Sequence, residues 1–250
     1  MDRVVSPLLV VGAGRGGTSL LTACLNGHAR IHMASEFHTT RVLIGDDFPI
    51  RSTASLVDDR LFAFRALCDE HATAHAGKIW GNKITTEQLA GLEEHNALNS
   101  PGVDVAERFL TIMSGYRIVF ITRHGASCVD SKVRRTGQPF TRAAIRWCYS
   151  ARLLERLTDL GGVTARCRYE DLISDPAATL IRLCGSLGLA FDEGMLAQTG
   201  SDILGPEYRH GRFLSEKAEN LPELAPEIEA MIEPWLARLG YTPRASDRVR

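Results

Sequence analysis

Residues Leu8–Leu25, LLVVGAGRGGTSLLTACL, constrain this chain more than any other stretch. Four apolar residues, Leu8 to Val11, run into Gly12-Ala13-Gly14-Arg15-Gly16-Gly17-Thr18-Ser19. Leu20, Leu21, Cys24 and Leu25 then recur at helical spacing. The pattern reads as buried strand, tight glycine loop and amphipathic helix. Such a unit aims successive backbone N–H groups and the positive end of a helix dipole at one point, which makes a cradle for phosphate or sulfate. Glycines let the backbone curl around the anion without Cβ clashes. Three ligand types fit the loop. Gly12, Gly14 and Gly17 satisfy the dinucleotide spacing G-x-G-x-x-G. Gly12 and Gly17 also have the Walker interval, with Ser19 at the magnesium-hydroxyl position, but Thr18 stands where the phosphate-reaching lysine belongs. The third type keeps the cradle and takes its cation from Arg15, inside the loop.

The rest of the chain must choose among them. At 250 residues, 44% hydrophobic and 24% charged, it has enough apolar material for one sizeable core. A net charge of −1 supplies no global field for nucleic acid or anionic membrane. No cationic-plus-apolar leader opens the sequence, and no apolar run reaches the length of a membrane span. Six cysteines are scattered without a C-x-x-C pair, as expected of reduced core thiols in a cytoplasmic protein.

Strand-like runs at Leu8–Val11, Ile31–Met33, Lys78–Lys83, Arg117–Thr122 and Val163–Tyr169 alternate with helical patterns. These cover Val57–His75, Thr86–Leu98, Val103–Met113, Gly125–Arg135, Thr141–Leu160, Pro176–Leu187 and Pro222–Gly240. The expected fold is α/β: a single domain over 1–250 with a mostly parallel central sheet flanked by helices. Residues 44–56, rich in Asp, Pro, Gly and Ser/Thr, read as a mobile lid. Residues 200–220 are polar and irregular. Glu36 and His38 are expected on one side of an extended segment. Ligands bind at the C-terminal ends of such strands, and Arg15, Lys83, Arg123 and Tyr169 all fall at or near those ends.

A second anchor is VFITRHGASCVDSKVRR, where Arg123 leaves a strand and Ser131 follows eight residues on, in a helix. A guanidinium fork with a hydroxyl suits a phosphate monoester. The Arg134-Arg135 pair reads as a solvated helix end. Taken together, G-x-G-R-x-G-T-S-L-L, W-G-N-K ending in Lys83, the Arg123/Ser131 pair and Y-E-D-L-x-x-D-P at Tyr169–Pro176 resemble the sulfotransferases that use 3′-phosphoadenosine 5′-phosphosulfate. The resemblance covers Gly12 to about Phe191.

The resemblance implies a P-loop-nucleotide-kinase-like sulfotransferase fold. It also implies that the chain is an enzyme of that donor, leaving adenosine 3′,5′-bisphosphate as product and needing no metal. Gly14, Arg15, Gly16, Gly17, Thr18 and Ser19 would hold the 5′-phosphosulfate. Arg123 and Ser131 would hold the 3′-phosphate, and Tyr169 would be among the cofactor-binding residues. Arg212, in the Gly211-Arg212-Phe213 stretch, resembles the basic segment that closes over the cofactor. Gly16 replaces a more usual serine or threonine, and Leu20 replaces the adenine-stacking tryptophan of the animal cytosolic enzymes. Their catalytic histidine matches Thr85 here, which cannot serve as a base near neutral pH. The tyrosylprotein and bacterial types, with arginine in the loop and a glutamate twenty-one residues later, resemble this chain more closely. That count from Arg15 lands on Glu36. Arg15, Glu36 and Lys83 are thus the expected catalytic set, and His38 is a rival base or an acceptor contact. The acceptor is expected to be a small-molecule hydroxyl. A Rossmann oxidoreductase, a P-loop kinase and a non-catalytic nucleotide-binding protein are the competing readings.

Overall fold

The computed structural model describes residues 6–44, 56–97 and 102–241. Most of the expected lid, residues 45–55, lies outside them. The sheet contains β1 (Leu8–Gly12), β2 (Ile31–Ser35), β3 (Ile79–Thr85), β4 (Arg117–Thr122) and β5 (Val163–Arg168). All four neighbouring pairs are parallel, and the strand order is β2-β3-β1-β4-β5. Crossovers carry α1 (Thr18–Asn26), α2 (Leu56–Ala74), α3 (Thr86–Ala97), α4 (Val105–Ile112), α5 (Gly125–Thr136) and α6 (Phe140–Asp159). After β5 come α7 (Tyr169–Ser174), α8 (Pro176–Ser186), a short α9 (Glu216–Glu219) and α10 (Pro226–Arg238).

A parallel sheet needs cover on both faces, and the strand sequences supply it. In β1, Leu9 and Val11 enter one apolar cluster with Phe64, Trp80, Phe109 and Leu153, while Leu8 and Val10 enter another with Leu21, Leu172 and Leu183. In β4, Ile118 and Phe120 face the first cluster, and Val119 and Ile121 the second. A third cluster, around Ala126, Trp147 and Ile232, joins α5, α6 and α10 beside the glycine loop. Local signals set several element ends. The Asp175 side chain accepts from the Ala178 N–H, with Pro176 in the first turn of α8. Gly137, at φ 68°, ends α5.

Two expectations need correction. Glu36 and His38 do not lie in an extended segment: each has φ 54° and takes part in a turn leading into the π-helical stretch Thr39–Ile44. Lys83 is not the last residue of its strand, because β3 continues to Thr85. The continuation follows from pairing: Ile84 and Thr85 still match Val11 and Gly12 of β1. All six cysteines are free thiols, and five are buried.

Candidate active site

The glycine loop leaves β1 and enters α1 through two left-handed residues, Arg15 at φ 74° and Gly17 at φ 95°. A non-glycine residue in that region is held against a backbone cost of roughly 1–2 kcal/mol, so the surrounding contacts must over-determine it. Several do. The Gly16 N–H donates to the Ala13 carbonyl at 2.8 Å, and a Cβ on Gly16 would come within 2.7 Å of that oxygen. The Arg15 carbonyl accepts from Arg123 Nη1 at 3.0 Å. The Gly14 carbonyl accepts from Cys128 Sγ, and the Gly14 N–H donates to Glu87 Oε2 at 2.8 Å. No side chain caps α1 and no acidic residue sits in its first turn, which leaves first-turn amides for an anion.

Beyond the loop opens a cleft of about 920 Å³. Arg15, Gly17, Thr18, Ser19, Arg123, Ser131, Tyr169 and Arg212 line it; Gly14 and Gly16 do not. Arg15 is the hub. Its Nε donates to Ser131 Oγ at 3.1 Å, its Nη1 bonds the Tyr208 hydroxyl, and its guanidinium stacks on the Tyr208 ring at 4.7 Å. Arg123 stacks on Tyr169 at 4.4 Å. Burial pushes the Tyr169 phenol up, against the opposing pull of Arg123. Arg212 is exposed and forks onto Glu216 at 3.0 and 3.3 Å. Arg134 and Arg135 are exposed, as a solvated helix end should be, and also line the cleft, with Arg135 bridging to Glu207 at 3.0 Å.

A second group, Lys83 and Glu36, does not line the cleft but meets the loop at Ser19. Lys83, 5% exposed, reaches Ser19 Oγ at 3.1 Å and Glu36 Oε1 at 2.8 Å. Glu36 is the open end of this chain, with 39% of its side chain exposed. His38 lies in the same turn with its ring edge-on to Phe37, 4.1 Å between centroids, and does not line the main cleft.

Sequence reasoning missed the residues that hold these groups. Asn82, fully buried, accepts the Phe37 N–H and donates to the Phe37 carbonyl, both at 3.0 Å, and so clamps the Glu36 turn onto β3. Gln88 accepts the Thr85 N–H at 2.8 Å and extends its amide toward Glu36, 3.5 Å away. Glu87 and Lys132 form an ion pair beside the loop. Ser127, on the same face of α5 as Ser131, and Tyr208 also line the cleft. Only the N-K of W-G-N-K hinted at Asn82. Gln88 has a local sign, the Thr85-x-x-Gln88 capping-box spacing, whereas Glu87, Lys132 and Tyr208 act across long sequence separations.

The cleft fits a polyanionic nucleotide. Six cations (Arg15, Arg123, Arg134, Arg135, Arg212, Lys217) face three carboxylates (Asp130, Glu207, Glu216). Buried Arg123 Nε and Ser127 Oγ have no hydrogen-bond partner, which leaves donors for a ligand. Among the described residues no His/Cys/Asp/Glu group is spaced to hold a metal, and no helix is long and apolar enough to cross a membrane.

These features define a glycine-loop α/β domain with a cationic cleft at its strand ends. A family model described as "Sulfotransferase family" matches residues 7–193, three quarters of the chain, and the chain belongs to that family. The oxidoreductase and kinase readings fall with this match. Among solved structures, the sulfotransferase domain from the curacin biosynthetic pathway is 16% identical with a TM-score of 0.70, over 96% of this chain and 99% of its own. The sulfotransferase domain from the Synechococcus PCC 7002 olefin synthase is 18% identical with a TM-score of 0.67, over 97% and 98%. A sulfotransferase from Alicyclobacillus acidocaldarius is 18% identical with a TM-score of 0.52, over 94% and 95%. At these identities the likeness is one of fold. No curated protein sequence matches the chain significantly.

Proposed function

We propose that the protein moves a sulfuryl group from 3′-phosphoadenosine 5′-phosphosulfate to a hydroxyl of a small-molecule acceptor, in the cytoplasm and without a metal. The observation that carries this reading is the Ser19–Lys83–Glu36 chain, at 3.1 and 2.8 Å, set against the anion loop. It puts a cation and a carboxylate side by side, joined to the loop through the Ser19 hydroxyl. The donor, when bound, supplies an activated sulfuryl group on a phosphate leaving group.

The protein's part is positioning and charge stabilisation. The first-turn amides of α1 with the Thr18 and Ser19 hydroxyls hold the 5′-phosphate end. Arg15 turns from Tyr208 toward the anion and offsets its charge. Arg123, steadied on Tyr169, and Ser131 hold the 3′-phosphate, with Ser127 adding a hydroxyl and Arg212 closing from the C-terminal segment 200–220. Gly14 and Gly16 shape the loop rather than touch the ligand. Lys83 supplies a cation to the transferring group. Glu36, anchored through Asn82 and exposed toward solvent, accepts the proton of the acceptor hydroxyl, and His38 contributes to the acceptor side.

Thermal unfolding tests the donor class. Adenosine 3′,5′-bisphosphate at millimolar concentration raises the melting temperature without magnesium, through preferential binding to the native state. A rise with NAD or ATP and none with the bisphosphate overturns the reading. Mass-shift detection of sulfated products across an acceptor panel tests turnover.

A further inference from the structure

A carboxylate is the wrong sign at an anion cradle, yet Glu87 sits in this one. Its Oε2 accepts the Gly14 N–H at 2.8 Å, and a Cβ on Gly14 would lie 3.2 Å from the same oxygen. One loop amide is therefore committed to the protein and withdrawn from any ligand. The other oxygen, Oε1, is ion-paired with Lys132 Nζ. Lys132 is 5% exposed and follows Ser131 directly on α5, so the pair ties the loop to the helix that carries the hydroxyl bonded to Arg15. An ammonium this buried is costly to place unless it does something a neutral side chain could not.

We propose that Glu87 and Lys132 form a charge-neutral latch. Glu87 holds the loop in its left-handed course by binding the Gly14 amide, and Lys132 cancels the carboxylate so that the cradle keeps its affinity for anions. Both are positioning residues; neither touches the ligand. The proposal rests on the donor reading above and deepens it.

The latch makes a prediction that ordinary structural support does not. Lys132→Met leaves a lone carboxylate against the loop. At the effective dielectric of a partly buried site, repulsion of a nearby phosphate weakens binding on the order of tenfold to a hundredfold. Adding Glu87→Gln removes that charge while keeping an oxygen for the Gly14 N–H, so the E87Q/K132M double variant returns to within about threefold of wild type. Glu87→Gln alone, with Lys132 retained, binds as well as wild type or slightly better.

The measurement is the dissociation constant of adenosine 3′,5′-bisphosphate by calorimetry on the full chain, with circular dichroism to confirm folding. A double variant as weak as K132M, or a K132M that binds normally, overturns the latch. If K132M does not fold, E87Q carries the test, and a tenfold loss there overturns it. If wild type itself does not bind the bisphosphate, the donor reading fails, and the same ratios are read with inorganic pyrophosphate as the anion.

Discussion

Replacing Asn82 by Ala separates what holds the Glu36 turn from what holds the donor cleft. Three hydrogen bonds end on this one buried side chain. Oδ1 accepts the Phe37 N–H at 3.0 Å and the Lys83 N–H at 2.9 Å, and Nδ2 donates to the Phe37 carbonyl at 3.0 Å. Each is worth about 1 kcal/mol net, with a further penalty where truncation strands a buried backbone group, so the loss is about 3 kcal/mol. For a domain of this size that lowers the melting temperature by roughly 6–12 °C. The functional effect is local. Phe37 packs on His71 at 3.9 Å and on Trp80 at 6.2 Å between ring centroids, and without the clamp these contacts, the Lys83 pair, the Gln88 amide and the turn's own backbone bonds are left to hold it. Under the proposed mechanism kcat falls about 10–100-fold from misplacement of the base. Bisphosphate affinity falls less than kcat, because under the proposed assignment its phosphates rest on the α1 amides, Arg123 and Ser131 rather than on the Glu36 turn. Thermal denaturation, calorimetric titration and steady-state kinetics on one preparation read all three. A melting shift under 2 °C refutes the clamp. A full shift with normal kcat refutes its role in placing Glu36.

Glu36→Gln keeps the side chain's size but cannot take a proton. Turnover on an aliphatic alcohol drops about 10²–10⁴-fold with bisphosphate affinity preserved, and acidic phenols suffer less. Near-normal turnover in E36Q, with loss in His38→Ala, moves the base to His38. Arg123→Ala weakens the bisphosphate by about 2–3 kcal/mol and adenosine 5′-phosphate far less; equal losses, measured by calorimetry, take Arg123 away from the 3′-phosphate. The thiols give a pH signature. Burial pushes Cys24, Cys68, Cys128 and Cys167 from an ordinary 9.0 up to about 12. Above pH 9 the unfolded chain releases these protons and the native chain keeps them. Stability therefore falls as pH rises from 9 toward 12, by up to about 1.4 kcal/mol per pH unit for each thiol. Urea melts across that range check the slope; a flat profile contradicts it.

Much of the fold was legible because its signals are local. Arg117–Thr122 is a strand with the boundaries its apolar run indicates, and Asp175-Pro176 begins α8 as its capping chemistry requires. The glycine loop announced the cradle, and Arg15, Arg123, Ser131 and Tyr169 gather around one cleft. What escaped is what depends on through-space partners. Glu87 reads as a first-turn acid favoured by a helix dipole, and nothing near it in sequence points to Gly14 or Lys132, 73 and 45 residues away. Arg134 and Arg135 are the solvated helix end their sequence suggests, but that they also line the cleft with Glu207 and Tyr208 depends on a segment some seventy residues on. The positive φ at Glu36 and His38 has no glycine to advertise it; buried Asn82, on another strand, holds the Phe37 between them.

The strand order has a consequence for exchange between relatives. β1 sits at the centre, with β4 and β5 on one side and β3 and β2 on the other. Under the proposed assignment, 3′-phosphate recognition belongs to the β4–β5 wing, whereas Glu36 and His38 belong to the turn after β2, at the far margin of the sheet. Everything from residue 36 to residue 78 is one uninterrupted length of chain, entering from β2 and leaving into β3. It is thus a natural cassette. Under the proposed function, swapping it for the matching length of another family member, with Asn82 and Lys83 and the core-facing Leu61, Phe64 and Cys68 kept, is expected to shift acceptor preference more than bisphosphate affinity.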